Sequence, residues 1–98
     1  VAMPSELAIG KPYPNPFNLT TSIPLSINNS DSINVYVIND ECDSIKTIVD
    51  SHISAGSHTI TWDGTNDNNQ IVNNGYYRII ASNAIFEVYQ NVKKESND

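Results

Sequence analysis

The single tryptophan of this chain stands where an alternating run ends and a turn begins. The run His58–Trp62 places Ile60 and Trp62 on one side and threonines on the other, which is the two-residue period of a half-buried β-strand. Asp63 and Gly64 follow at once and give a turn signal. Similar runs ending in polar turns recur along the sequence, so the chain is constrained to short strands and tight connections.

Further runs of the same kind predict most of the remaining strands, and none of them has a helical period. They are Thr20–Ile27, Ile33–Ile38, Ile45–Val49, Tyr76–Ala81 and Ile85–Val92. Ile, Val and Thr together number 26, against nine for Leu, Ala and Met, and such β-branched residues suit a pleated surface. We expect an all-β fold, a sandwich of two antiparallel sheets with about seven strands.

Two expectations concern how the strands pair. Thr20–Ile27 and Ile33–Ile38 are separated by the five turn residues Asn28–Ser32, which predicts neighbouring antiparallel strands. Pro24 has no N–H to donate to a sheet ladder. It therefore predicts that its strand is an edge strand, or that the N–H side of the strand is unpaired there, and it is the one visible device that blunts a sheet edge.

The apolar positions of these runs predict the hydrophobic core. The predicted core residues are Ile23, Leu25, Ile27, Val35, Val37, Ile48, Ile60, Trp62, Val72, Tyr77, Ile79, Phe86 and Val88. Four prolines in residues 1–18 predict an extended lead-in, which Tyr13 and Phe17 are expected to hold against the domain. The predicted organisation is a lead-in at 1–18, a sandwich at 19–94 and a frayed tail at 95–98.

Charge and composition limit the classes of partner that we expect for this chain. Eleven acidic residues oppose five basic ones, for a formal net charge of -6, and no basic patch is present that would neutralise phosphates. Nucleic acid is therefore not an expected partner. No apolar run is long enough to span a bilayer, so membrane insertion is not expected. Cys42 is the single cysteine, which excludes an internal disulfide.

Several segments together resemble a known family. Tyr13–Asn18 followed by Thr20–Ile23 resembles the opening of the type A C-terminal sorting domains of proteins exported by the bacterial type IX secretion system. Those domains are similar to the immunoglobulin-like domain of the flagellar hook-capping protein. The later parts of the pattern are, in order, Ala55-Gly56, Trp62-Asp63-Gly64, the loop Asp67–Val72 and Gly75-Tyr76-Tyr77. Asn69 stands where the family usually has glycine, and asparagine tolerates positive φ best after glycine.

The resemblance implies an immunoglobulin-like β-sandwich that is a non-catalytic C-terminal module of a larger secreted bacterial protein. Its implied partners are secretion machinery proteins of the outer membrane and the upstream domains of the parent chain, and its implied location is secreted or at the cell surface. The implied structural residues are Trp62, Asp63, Gly64, Gly75 and Tyr77, with Lys93 and Lys94 as candidate recognition residues because the family's last strand commonly closes with lysine. The alternative is a structural or binding module: a hook-capping-like assembly domain, an adhesive spacer or a carbohydrate-binding domain.

No catalytic constellation is apparent, so no enzymatic activity and no cofactor are expected. No serine lies in a nucleophile-elbow pattern, and the glutamates are scattered. Calcium stays an alternative at Asp63, Thr65 and Asp67, whose oxygens alternate as in a calcium loop. The competing interpretation is that the two carboxylates accept backbone N–H bonds and fix the loop.

Histidines and tyrosines raise two further possibilities. His52 and His58 have no cysteine or paired carboxylate near them in sequence, so they are interpreted as strand residues and not as zinc ligands. A sugar-binding face is an alternative use of the aromatic residues. Its candidates are Tyr13, Tyr36, Tyr76, Tyr77, Tyr89 and Trp62, although alternation makes Trp62 a core residue first.

Overall fold

The computed structural model describes residues 7–95, so residues 1–6 of the predicted lead-in and residues 96–98 of the predicted tail lie outside it. The chain forms two antiparallel sheets, with strand orders β1-β2-β5 and β4-β3-β6-β7. The strands are β1 (Leu7–Ile9), β2 (Thr21–Ile27), β3 (Asp31–Asn39), β4 (Ser44–Ile53), β5 (Gly56–Trp62), β6 (Gly75–Ser82) and β7 (Glu87–Lys94). The predicted all-β sandwich of about seven strands is confirmed.

The core lies between the two inner faces and follows the alternation of the strands. Its buried members are Leu7, Phe17, Ile23, Leu25, Ile27, Ile33, Val35, Val37, Trp62, Tyr77, Ile79, Ala81 and Val92. Five predicted core residues are only partly buried: Ile48, Ile60, Val72, Phe86 and Val88. They belong to the outer strands β4, β5 and β7 or to loops, where the second sheet covers less of each side chain.

The prediction that the second and third strands are neighbours is wrong. Both edges of β2 are occupied, by β1 and β5, and both edges of β3 are occupied, by β4 and β6. The connection at residues 28–30 therefore crosses from one sheet to the other, and the two strands face each other across the core. Their alternation is the same in either arrangement, because the inward residues point to the same core.

Of the two alternatives predicted for Pro24, the edge strand is wrong, because β2 is the central strand of its sheet, and the absence of an N–H bond on one side of the strand is the one that applies. The Pro24 carbonyl accepts a hydrogen bond from Gly10 N at 2.8 Å. In an antiparallel strand the N and C=O of one residue point to the same side, so the missing N–H faces Gly10 and not β5. Pro24 lies opposite Gly10, just beyond the end of β1 at Ile9. The missing N–H therefore removes no hydrogen bond between β2 and β5.

The edge of β4 is blunted by other means. The register between β3 and β4 shifts twice, which leaves Ile48 and Ile45 as bulged residues. Asp67, in the loop after β5, covers the same edge: its N–H donates to Ile45 O at 3.0 Å, and its carboxylate accepts from Thr47 N at 3.1 Å. The bulges and this loop interrupt the ladder that an unprotected edge would offer.

The N-terminal segment joins both sheets. β1 pairs with β2, and Tyr13 and Ser22 exchange backbone hydrogen bonds of 2.9 and 2.8 Å. Phe17 then pairs with the last strand in a parallel bridge, since its N–H donates to Lys93 O at 3.0 Å and its carbonyl accepts from Glu95 N at 2.8 Å. The Phe17 side chain is buried, whereas the Tyr13 side chain is 56% exposed. Tyr13 is thus held by its backbone, contrary to the prediction for its ring.

Candidate functional site at the end of the last strand

Residues from separate parts of the sequence pattern meet at one end of the sandwich, around the end of β7. We call this group the end cluster, and it consists of Phe17, Trp62, Gly64, Tyr77 and Lys94. Its members come from the N-terminal segment, β5, the loop after β5, β6 and β7. These five residues, although far apart in the sequence, are therefore neighbours in space, whereas Ala55-Gly56 of the same pattern lies at the opposite end of β5.

Trp62 is the centre of the end cluster and is 1% exposed. Its ring lies 5.2 Å from the Phe17 ring at 56° and 5.1 Å from the Tyr77 ring at 66°. Tilted and edge-to-face contacts at these distances are the favourable geometries for aromatic rings. The indole Nε1 donates to Thr65 O at 2.9 Å, so burial leaves its one polar atom satisfied. Trp62 is thus a core residue, as the alternation of its strand predicts.

Gly64 fits this cluster because it has no side chain. Its φ is +73°, in the left-handed region, and a Cβ there would lie 3.0 Å from Lys94 Cε and 3.4 Å from Phe17 Cε2. Both the backbone conformation and the space therefore favour glycine. The turn after Trp62 lets the Lys94 stem and the Phe17 ring pack directly on the backbone.

Tyr77 closes the other side of the Trp62 ring. Its hydroxyl donates to Asn73 O at 2.6 Å, which ties β6 to the turn that precedes it. Burial raises the pKa of the Tyr77 hydroxyl, and the negative charge of Asp40 adds a smaller contribution in the same direction. The hydroxyl therefore remains a proton donor at neutral pH. Gly75, with φ of +150°, begins β6 opposite Lys94.

The two candidate recognition residues face opposite ways, because successive side chains of a strand alternate. Lys94 is only 3% exposed, and its stem packs on Gly64. The Lys93 side chain is 39% exposed, with its Nζ 3.6 Å from a carboxylate oxygen of Glu95 and 5.5 Å from the centre of the Tyr76 ring. Lys93 is thus the lysine of this pair that presents its side chain at the surface.

Short-range bonds shape the polar loop after Trp62. The Asp63 carboxylate accepts hydrogen bonds from Thr65 N at 3.2 Å and from Thr65 Oγ1 at 2.5 Å. The Thr65 hydroxyl bond is the main cause of a lowered pKa for Asp63, and the positive charge of Lys46 contributes less. The Asn66 side-chain oxygen accepts from Asn68 N at 2.9 Å and Gln70 N at 3.0 Å. These Asx-type bonds give the loop a defined shape.

A lysine from β4 enters this loop. The Lys46 ammonium donates to Thr65 Oγ1 at 3.0 Å, Asn69 Oδ1 at 3.3 Å and Asn66 O at 3.4 Å. Asn69, which replaces the usual glycine, has φ of +61°. Sequence reasoning missed Lys46 because it lies on another strand, 19 residues before Thr65.

The loop oxygens proposed for calcium have partners within the protein. Thr65 contacts both Asp63 and Lys46, and Asp67 contacts Thr47. Within residues 7–95, no group of three or more His, Cys, Asp or Glu side chains is placed to hold a metal. Calcium binding at this loop stays an untested alternative.

The histidines proposed for zinc lie in different sheets. His52 is opposite Ser32 in one sheet, and His58 is opposite Leu25 in the other. His58 Nε2 donates to Ser54 O at 2.7 Å, a local contact.

The structure separates the candidate aromatic residues into two groups. Trp62 and Tyr77 belong to the core, whereas Tyr36, Tyr76 and Tyr89 alternate with core residues and lie on the outer face of the four-stranded sheet. Cys42 is a free, exposed cysteine in the turn after β3. No helix that is long and apolar enough to cross a membrane occurs in the described part of the chain.

Comparison with known proteins places the fold and the family. The chain is similar to the crystal structure of dimeric latent PorU from Porphyromonas gingivalis, with a TM-score of 0.73 and 12% sequence identity over 98% of this chain. It spans 10% of that PorU chain, so the likeness concerns the fold of one module. A search of curated proteins found no match. A family model, FlgD Ig-like domain, matches residues 18–84, and the chain belongs to this family of immunoglobulin-like domains.

Proposed function

We propose that this immunoglobulin-like domain is a non-catalytic sorting and surface-attachment module at the C-terminal end of a larger secreted bacterial protein. It would act through protein recognition by the outer-membrane machinery of type IX secretion, and its parent protein would be secreted or held at the cell surface. The proposal joins the family membership to the more specific pattern that the sequence resembles.

The observation that carries this proposal is the end cluster. The pattern residues Phe17, Trp62, Gly64 and Tyr77 come from distant segments, yet all of them pack around the last strand where Lys94 ends it. These residues pack around the end of β7, and the alternation of the strand leaves Lys93 at the surface, as a recognition surface requires.

The surface that we assign to recognition is the exposed strip formed by Lys93, Glu95 and Tyr76. Lys93 contacts both of the other side chains, and Asn15 Oδ1 accepts a hydrogen bond from Lys93 N at 3.0 Å. The backbone of this strip is thus held on one side by β6 and on the other by the segment of residues 15–17. Held backbone with exposed side chains reduces the ordering cost of binding a partner.

Export of a fusion protein tests this function. Residues 1–98 are fused after a secreted reporter and produced in a bacterium with an intact type IX system, and in a matched strain without its translocation machinery. We expect the reporter on the surface or in the medium of the first strain and in the periplasm of the second. Retention in the periplasm of both strains would refute the sorting function.

A pair of substitutions locates the recognition surface in the same assay. Lys93→Ala should reduce export at least about threefold, whereas Lys11→Ala removes an equal charge from an exposed residue outside the strip of Lys93, Glu95 and Tyr76 and should leave export unchanged. Equal export of both variants would show that Lys93 is not part of the recognition surface. The sorting function itself would still be decided by the export of the unsubstituted fusion protein.

A second candidate is a structural module in a protein assembly, which the FlgD Ig-like family match favours. The complete gene separates the two: a stop codon after Asp98 behind an upstream catalytic or adhesive domain supports sorting, and a flagellar gene context supports assembly.

A further inference from the structure

The outer face of the four-stranded sheet carries aromatic side chains that the core does not use. Tyr36, Ile80 and Tyr89 lie opposite one another across β3, β6 and β7. Tyr76 lies on the same face, nearer the end cluster, opposite Lys93. The Tyr76 and Tyr89 side chains are 63% and 51% exposed. This face is therefore open to solvent and partly aromatic.

Beside Tyr76 the face deepens into a groove of about 420 Å³. Small-molecule sites commonly have volumes of about 300–1,000 Å³, so the groove is large enough to hold a ligand. It has an apolar part and a polar part. The lining residues are Ile38, Tyr76 and Tyr77, with Asn39, Asp40, Cys42, Arg78 and Asn91.

Arg78, Asn91 and Asn39 of the polar lining are held in place by hydrogen bonds within the protein. Arg78 Nε donates to Asn91 Oδ1 at 3.2 Å, and the guanidinium carbon lies 4.3 Å from the centre of the Tyr89 ring. On the opposite rim, the Asn39 side-chain oxygen accepts hydrogen bonds from Glu41 N and Asp43 N, both at 2.9 Å. Groups fixed in this way lose little conformational entropy on binding.

We propose that this groove binds a neutral oligosaccharide. The exposed Tyr76 ring supplies an apolar platform on which the C–H face of a pyranose packs, as aromatic side chains do with other apolar surfaces. Asp40, Asn91 and Arg78 supply acceptors and donors in planar groups that match pairs of neighbouring sugar hydroxyls. The flat apolar ring and the planar polar groups of the protein together complement the C–H face and the hydroxyls of a sugar ring.

The backbone of the groove argues against an extended peptide as the ligand. Ile38, Arg78 and Asn91 lie opposite one another in paired strands, so the floor has no free ladder of N–H and C=O groups for a peptide to join. Recognition there depends on side chains alone, which suits a ligand whose own polar groups are hydroxyls.

Charge argues against an acidic glycan. Asp40 and Arg78 are the charged residues among the lining and are opposite in sign, so the groove is neutral overall. The chain as a whole carries a formal net charge of -6, which repels sulfated or uronic acid chains. A neutral sugar is not repelled by the negative charge of the chain and needs no excess of positive charge in the groove.

Titration with defined sugars tests the proposal, which does not rest on the export function. Isotope-labelled residues 1–98 are titrated with cellohexaose, xylohexaose, mannohexaose and chitohexaose and followed by NMR chemical shifts. We expect at least one of them to bind with a Kd below about 1 mM and to shift the amide signals of Asn39, Tyr76 and Arg78. Failure of all four to bind at that concentration would overturn the proposal.

Two variants and a control assign the binding to the groove. Tyr76→Ala should weaken binding at least about tenfold, while Tyr76→Phe, which keeps the ring, should restore it to within about twofold. Tyr13→Ala removes a similarly exposed tyrosine outside the groove and should have no effect. Unchanged binding by Tyr76→Ala, or preferred binding of a heparin hexasaccharide or a proline-rich peptide at the same residues, would contradict a neutral-sugar site.

Discussion

The two ends of the sandwich are stabilised in different ways. At one end, the end cluster packs the rings of Phe17, Trp62 and Tyr77 against one another, all from distant segments. At the opposite end, polar hydrogen bonds hold the turn after β6, where Asn83 Oδ1 accepts from Ile85 N at 2.9 Å and Phe86 N at 2.6 Å. We call these the packed end and the turn end.

The difference between the two ends explains where the chain requires particular residues. A packed aromatic cluster requires particular residues at particular places, because volume and shape must match. A polar turn tolerates Asn, Asp or Ser wherever the chain reverses. The packed end therefore accounts for most of the recognisable pattern, of which Ala55-Gly56 lies at the turn end.

Substitution of Trp62 should cause the largest loss of stability. Trp62→Ala removes the centre of the packed end and should lower the free energy of unfolding by about 3–5 kcal/mol, measured by urea denaturation. At the turn end, Ile85 is 68% exposed, and Ile85→Ala should change stability by less than about 0.5 kcal/mol. Similar losses for the two variants would break the distinction between the ends.

Gly64→Ala tests whether the turn of the packed end needs glycine, both for its left-handed backbone and for the space that a side chain would fill. The added Cβ meets the Lys94 stem at 3.0 Å in a left-handed backbone, so we expect a loss of about 2 kcal/mol in thermal or urea unfolding. Asn69→Gly, at φ of +61°, is the control and should alter stability by less than about 1 kcal/mol. A Gly64→Ala protein as stable as the wild type would show that Lys94 does not pack tightly there.

Asn83→Ala tests the turn end. It removes the acceptor for the N–H groups of Ile85 and Phe86, and we expect a loss of about 1–2 kcal/mol by urea denaturation. Asn34→Ala, an exposed site within β3, should cost less than about 0.5 kcal/mol. A loss as large as that of Trp62→Ala would mean that the turn end is as strongly anchored as the packed end.

The smallest predicted effect is a pH dependence at Asp63. Its pKa is lowered in the folded state, so its contribution to stability is present above the unfolded pKa of about 3.9 and is lost as pH falls through the lower folded value. Between about pH 5 and pH 2 the wild type should therefore lose more stability than Asp63→Asn. Parallel melting curves of the two proteins across this range would show that the Thr65 bonds do not depend on the charge.

Sequence periodicity predicted the individual strands better than their arrangement. Alternation located β2 and β3, which have one buried face, and β5, whose inward face is half-buried and ends in the buried Trp62. It did not reveal that β2 and β3 belong to different sheets, since a connection of that length serves either a hairpin or a crossing between sheets. β1, with three residues in a proline-rich segment, is too short to show a period.

The site was predictable in part. The sequence contained a signal for the burial of Lys94, because this residue alternates in step with Val88 and Val92 and therefore lies on the same inward face of β7. The contact of Lys46 with the loop had no such signal, because a bulged strand brings the lysine there from far along the chain. Packing that joins distant segments leaves little trace in local patterns.

The bridge between Phe17 and the residues after Val92 has a consequence for synthesis. Phe17 is translated well before its backbone partners Lys93 and Glu95. The sandwich therefore has no complete core until translation has passed Glu95, and Phe17 and Trp62 remain open to chaperones until then. Such a domain remains unclosed for longer than one built from successive hairpins, because its closing contact joins residues that are far apart in the sequence.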